Sequence, residues 1–231
     1  MRPRGGRPGR AGASPAEALP FRALSAQVPW RALVAGWAAA YAAGVLVGLG
    51  IQALGWWEGA PWERAVLAAA GRAVSPVLDP IMLLLPLAGT NYTLAPVVAV
   101  VAVVLWRRGL HATALQLATV QLGSWTLNPA IKFTLPRPRP DLFEPRGQYA
   151  LPAYPSGHAI AVVSLLVTAA YLARLHGRAP WAYPAVAAFF LLNSYSRLYL
   201  GVHWPTDLAG GTLVGAIWLA TTLRAFAPLH R

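Results

Sequence analysis

The chain has no cysteine, which excludes a disulfide framework, a zinc–thiolate site and a thiol nucleophile. Acidic residues are scarce too, with Asp and Glu together numbering seven. Once the residues assigned below are set aside, no carboxylate cluster or histidine pair of ligand spacing is left to hold a metal, and no cofactor is expected. Charge of any kind is rare. Of 231 residues 11% are charged and 57% hydrophobic, a balance that favours a membrane protein over a soluble core. Lysine is all but missing: the Lys and Arg total is 19, and Lys132 is the single lysine.

What is there is a formal charge of +12. That value alone would admit a nucleic-acid partner, but the arginines form no stripe along any expected helix. They fall in caps and loops between apolar runs, as membrane topology places them. No nucleic acid and no protein partner is therefore expected. Length predicts one domain.

Residues 1–31 are rich in Arg, Gly, Pro and Ala. They read as a disordered basic tail, without a signal-peptide hydrophobic region, held in the cytosol by its positive charge. Ala32 to Trp57 carries no charge, a run of about 26 residues against the roughly 20 that span a bilayer. Trp56, Trp57 and Trp62 then mark the far interface. Glu63 to Leu78 suggests a short helix lying in that interface. Pro86, Gly89, Thr90, Asn91 and Pro96 predict a bent or re-entrant lead into a second span, which begins near Tyr92 and closes at Arg107 and Arg108. A third span runs from about Leu110 to Ile131, with Gln121, Ser124 and Asn128 on one inward face. Residues 133–155 hold six of the 21 prolines and form a loop. Further spans cover about Gly157–Leu172, Trp181–Ser196 and Pro205 to just before Arg224.

The expected fold is thus an all-α integral membrane protein. Six transmembrane helices over residues 32–227, with a helical core bundle, hold the active site, and residues 228–231 form a short cytosolic tail. Both termini then lie in the cytosol, and the arginine-rich ends at 1–31, 107–108, 174–178 and 224–231 fall on one side. The outer loops break the rule. Lys132, Arg137, Arg139 and Arg146 in one, and Arg197 in the other, put positive charge where it is normally scarce, which suggests an anionic ligand on that face.

Lys132, Arg139 and Arg197 suit a group with several anionic oxygens: arginine offers a planar fork of donors and lysine a point charge. Taken singly, each equally suits a helix-end anchor among headgroups. Pro155-Ser156-Gly157-His158 opens a helix, where free backbone N–H groups bind anions and glycine allows close approach. Ser156 also fits a plain N-cap. His203 stands four residues before Asp207, one helical turn if the last helix starts early. A carboxylate that fixes one imidazole nitrogen leaves the other free to attack. Asp207 also fits a cap, though a cap needs no histidine beside it. Two histidines suffice for phosphoryl transfer without a metal. His203 attacks phosphorus, His158 donates a proton to the leaving group and then activates water, and the cations with the helix amides stabilise the transition state.

These residues carry a resemblance. Lys132 to Pro140, Pro155 to His158 and Ser196 to Asp207 fit KxxxxxxRP, PSGH and SRxxxxxHxxxD at every position, and the chain resembles the type 2 phosphatidic acid phosphatase superfamily. The resemblance implies His203 as nucleophile, His158 as acid and base, and Asp207 as orienter. Lys132, Arg139, Ser156, Gly157 and Arg197 would bind phosphate. It also implies a helical bundle with its site near the outer surface, independent of magnesium. The long apolar spans point to the integral-membrane lipid phosphatases. The expected substrate is a phosphorylated lipid of the plasma membrane: undecaprenyl pyrophosphate, phosphatidylglycerophosphate or phosphatidic acid. The alternative within the same chemistry is a phosphotransferase that passes the phosphoryl group to a lipid or sugar.

Overall fold

A computed structural model describes residues 19–146, 151–177 and 179–231. Among them there are helices and no strands. The described part of the basic tail is not disordered. Helix α1 (Phe21–Gln27) follows Pro20, and Leu24 and Val28 are buried in the main core. The composition of residues 1–31 hid these two apolar anchors. Residues 1–18 of the tail, residues 147–150 of the loop and Arg178 lie outside the described residues.

Helix α2 (Trp30–Ala53) is the first long apolar element. It ends before Gly55, whose φ of +72° suits glycine. Helix α3 (Pro61–Arg72) starts with proline in its first turn, and Glu63 accepts a hydrogen bond from Ala60 N at 3.0 Å. This helix does not simply lie at an interface. Glu63 and Leu67 are fully buried, and the helix packs on α9. Helix α4 (Asp79–Leu84) runs into a tighter 3₁₀ turn, Leu85–Gly89, where Pro86 interrupts α-helical hydrogen bonding. Thr90 then caps α5 (Asn91–Arg107), its hydroxyl accepting from Thr93 N at 3.1 Å. The two pieces meet at 50°, the bend that the cluster of Pro, Gly and Thr predicts.

Helix α6 (His111–Thr134) is followed by the proline-rich loop. The fourth expected span is one helical run, Gly157–Leu175, made of α7 (Gly157–Ala161), a widened π turn (Val162–Leu166) and α8 (Val167–Leu175). Helices α9 (Ala182–Tyr199) and α10 (Pro205–Phe226) complete the chain, with a final 3₁₀ turn at Ala227–His230.

Helix α10 is the packing centre, in contact with α2, α6 and α7. Val214 and Trp218 of α10 join Leu127 and Ile131 of α6 and Ile160 and Leu165 of the fourth span in one core. Gly44 of α2 makes the close approach possible: a Cβ there would stand 2.7 Å from Ile131 Cδ1 and 2.9 Å from Val214 Cγ2. On the outside, Val97, Val100 and Val103 of α5 and Leu191 and Leu192 of α9 are exposed, which suits lipid rather than water.

Among the described residues three helices are long and apolar enough to cross a membrane: Trp30–Ala53, Gly157–Leu175 and Pro205–His230. The bent pair Asp79–Gly89 and Asn91–Arg107 makes a fourth when counted as one span. Helices α6 and α9 are outside that set. They carry the buried polar residues Gln116, Gln121, Ser124 and Lys132, and Asn193, Ser196 and Arg197 respectively, so their mean hydropathy is diluted by the side chains they turn inward.

Candidate active site

Each sequence motif ends or begins a helix at the same end of the bundle. Lys132 lies in the last turn of α6, Arg197 in the last turn of α9, Gly157 and His158 in the first turn of α7, and Asp207 in the first turn of α10. A hydrogen bond from Ser156 N to Asp207 O at 3.0 Å ties the second motif to the third. Between these ends opens a cavity of about 480 Å³. Lys132, Arg139, Gly157, His158 and His203 form one part of its wall, and Gly89, Thr90, Asn91, Tyr92, Trp125, Asn128 and Leu151 are among the rest. Ser156, Arg197 and Asp207, also singled out from the sequence, are fully buried and lie outside that lining.

The cations are held by carbonyl oxygens. Lys132 Nζ donates to the Pro152 carbonyl and, at 3.1 Å, to the Ala153 carbonyl. Arg139 Nε and Nη2 donate to Leu151 O at 3.1 and 2.8 Å, and Nη1 donates to Val202 O at 2.5 Å. These neutral acceptors fix the side chains in place beside the cavity. Arg146 behaves differently: it pairs with Asp79 and is not part of the cavity wall.

His203 sits in the short connection between α9 and α10. Its Nδ1 is 3.3 Å from Asp207 Oδ2, and the same carboxylate oxygen accepts from Trp204 N at 2.8 Å. Asp207 therefore serves both readings of the sequence, partner to a histidine and brace of its own helix start. Burial above all, and then the positive charges of Lys132, Arg139 and Arg197, hold the His203 ring well below the ordinary histidine value of 6.5. The ring is accordingly neutral at pH 7 with a lone pair to offer.

Sequence reasoning missed what stands behind Asp207. Arg137 Nη1 donates to Asp207 Oδ1 at 2.7 Å and to Thr206 Oγ1 at 2.6 Å. Its Nη2 donates to Glu63 Oε2 at 3.1 Å and to Trp56 O at 2.6 Å, and its Nε to Trp57 O at 3.0 Å. Glu63 Oε1 in turn accepts from Thr206 N and Oγ1 at 3.0 and 2.7 Å. Arg137, Glu63 and Asp207 are all fully buried. The available signal was an arginine in a loop where positive charge is out of place. Nothing local in the sequence pairs it with a glutamate 74 residues away.

Around His158 the pattern reverses. His158 Nε2, Ser156 Oγ, Asn128 Oδ1 and both amide atoms of Asn193 are buried without a hydrogen-bond partner among the described residues. Ser156 occupies the N-cap position of α7, yet its hydroxyl makes no capping bond. Gly157 is glycine for a steric reason: a Cβ there would meet the Asn128 amide at 2.7 to 3.1 Å. The arrangement combines a neutral, braced imidazole, a second imidazole with a bare nitrogen, and fixed cations beside both. Its chemistry suits transfer of a phosphoryl group.

Residues 111–231 match the family model described as the PAP2 superfamily. An Escherichia coli (strain K12) protein named "Putative undecaprenyl-diphosphatase YbjG" is 32% identical over 136 residues, 54% of this chain and 64% of that protein. An undecaprenyl-diphosphatase of Sulfolobus acidocaldarius is 41% identical over 68 residues, 29% of this chain and 30% of that one. Phosphatidylglycerophosphatase B of Bacillus subtilis (strain 168) is 26% identical over 160 residues, 67% of this chain and 78% of that protein. The chain thus spans less than two thirds of the first two relatives. Among solved structures, the transmembrane PAP2 type phosphatidylglycerolphosphate phosphatase from Bacillus subtilis superposes with a TM-score of 0.68 at 23% identity, over 80% of this chain and 93% of that one. Aquifex aeolicus LpxE gives 0.58 at 21%, over 72% and 98%. The shared fold is that of a helical membrane protein.

Proposed function

The chain belongs to the PAP2 superfamily, and on that premise we propose that it is a membrane lipid phosphatase working through a phosphohistidine. The observation that carries this reading is the single cavity bordered by His203, His158, Lys132 and Arg139, with Asp207 braced against His203 Nδ1.

His203 Nε2 attacks phosphorus, the bond from phosphorus to the lipid oxygen breaks, and protonated His158 gives that oxygen its proton. Neutral His158 then takes a proton from water, whose oxygen attacks the phosphohistidine and releases inorganic phosphate. Asp207 holds the ring of His203 in its attacking orientation and offsets the charge it gains. Lys132, Arg139, Arg197, Ser156 and the amide of Gly157 stabilise the equatorial oxygens. Both proton transfers run between histidine and oxygen, so the cycle closes without a metal.

The substrate is a phosphorylated lipid. The names of the relatives support undecaprenyl pyrophosphate and phosphatidylglycerophosphate, with phosphatidic acid a third choice on chemistry alone. We further propose that α6 and α9 also cross the membrane, giving six spans in a domain of residues 32–227. The termini would lie in the cytosol and the site would face outward from the plasma membrane, as the arginine distribution favours. A cysteine replacing exposed Asp141 should react with an impermeant thiol reagent in intact cells; labelling only after lysis would reverse the orientation.

The deciding experiment measures phosphate release by detergent-purified protein from the three lipids, with EDTA present and His203→Ala alongside. Release from one lipid, resistant to EDTA and lost in the variant, supports the reading. Release that needs an added metal, or that survives the substitution, overturns it.

A further inference from the structure

Two asparagines that no motif includes flank His158 on different helices in the same way. Asn128 stands four residues before Lys132 on α6, and Asn193 four residues before Arg197 on α9. Each is one turn, about 5.4 Å, deeper in the bundle than its cation. Each rests on a glycine. The Asn128 amide lies against Gly157, next to His158 in the chain. Asn193 lies against Gly89, where an added Cβ would meet Asn193 Nδ2 at 2.5 Å and His158 Cδ2 at 3.2 Å. Gly89, Asn128 and His158 all border the cavity.

Asn193 is only 2% exposed, and its Oδ1 and Nδ2 have no partner among the described residues. The same holds for Asn128 Oδ1 and His158 Nε2. Buried polar atoms are kept unpaired at a cost to stability, so they point to a group that arrives later. Neutral amides supply donors and acceptors but no charge. They therefore suit a water or a hydroxyl better than a second phosphate, which the cations one turn above already serve.

We propose that Asn128 and Asn193 form a subsite for the oxygen that changes places in the reaction: the lipid oxygen as it leaves, and the water that follows it, each next to His158 Nε2. This rests on the phosphohistidine reading and gives the two oxygens one common berth. In the first half-reaction the phosphorus–oxygen bond breaks and the oxygen takes the His158 proton. In the second, water gives that proton back as its oxygen bonds to phosphorus.

The test uses full-length protein in detergent and ¹⁸O-labelled inorganic phosphate, whose label passes to water only through reversible formation of the phosphohistidine. Asn193→Leu and Asn128→Leu keep the branching and heavy-atom count of the side chain and remove the polar atoms. Each should slow exchange by about 10²-fold, as for loss of a group aligning a proton transfer, leave the Kd for orthophosphate within about threefold, and raise Tm. Exchange within about threefold of wild type would overturn the subsite. So would a Kd weakened in step with the rate, which would make the asparagines phosphate ligands, or a fall in Tm, which would make them structural. Wild-type protein that shows no exchange, or exchange that survives in His203→Ala, would instead remove the phosphohistidine reading and this inference with it.

Discussion

Asp207 and its neighbours form a network in which every charged atom has a partner: Arg137 bridges Asp207 and Glu63, and Thr206 and Trp204 fill the remaining positions. A few residues away, around His158, the polar atoms of Ser156, Asn128 and Asn193 have no partner among the described residues. Both regions are buried, so solvent does not explain the difference. Folding completes the first region, which holds one ring in one orientation. On the proposed function, a ligand completes the second, its oxygens replacing the missing partners. On that reading, a site divided this way would keep its nucleophile rigid and use binding energy to assemble the proton-transfer side.

The largest effect expected from breaking the first region is chemical. His203→Ala should lower kcat by at least about 10³-fold, roughly 4 kcal/mol in barrier, while Tm stays near that of wild type, because the imidazole is held by the network and does not build it. A variant with near-normal turnover would remove His203 from the nucleophile role.

Arg137→Met attacks the network itself. It leaves Glu63 and Asp207 buried without their shared cation, and breaking such an arrangement costs on the order of 3 kcal/mol. Thermal unfolding in detergent should show a large fall in Tm, with lost activity following lost structure. The double variant Arg137→Met, Glu63→Gln should recover part of that loss, because it removes one of the stranded charges. If the single variant unfolds like wild type, the network is not what holds α3, the loop and α10 together.

Gly157→Ala addresses the open side. The added methyl meets Asn128 Nδ2 at 2.7 Å, so the amide must turn away or α7 must shift. Turnover should fall about tenfold, near 1.4 kcal/mol, with little change in Tm. Asn128→Ala makes room for that methyl, so the double variant should lose less than the sum of the two single losses. Additive losses would mean that the contact does not couple the two residues.

Much of the candidate site was legible because charge in an apolar chain needs a reason. Lys132, Arg139, Arg197, His158, His203 and Asp207 stand at ends of apolar runs, and the structure gathers those ends on one side of the bundle. The bend at Pro86–Thr90 was legible for a local reason, since proline and a threonine cap dictate it. Contacts between distant segments were not. Glu63 reads only as the first residue of a short interfacial helix, and the fold alone brings it to Arg137 and Thr206. Asn193 is one polar residue in an apolar helix, and its meaning depends on which helix faces it. Likewise α1 was hidden because an arginine-rich composition outweighs two apolar anchors, Leu24 and Val28, whose partners lie elsewhere in the chain.

The smallest expected effect is on pH dependence, and it concerns His203. Burial and three nearby cations hold His203 well below 6.5. An unperturbed histidine with a pKa near 6.5 would lose roughly threefold of its neutral form between pH 7 and pH 6. His203 should stay neutral across that interval. The value of kcat/KM, corrected for the substrate's own phosphate ionisation, should therefore fall by less than about 1.5-fold and drop steeply only as the pH passes through the lowered value. Stability follows the same sign. Because the folded value is below the unfolded one, the unfolded chain takes up the proton first, so this residue's contribution to stability is full above pH 6.5 and declines as the pH falls below it. Lys132→Met removes one of the three cations and should raise the His203 value, moving the acid limb of the variant's residual activity toward pH 6.5. An acid limb already at 6.5 in wild type would mean that burial and the three cations do not act on His203, and the assignment of a neutral, enclosed nucleophile would fail.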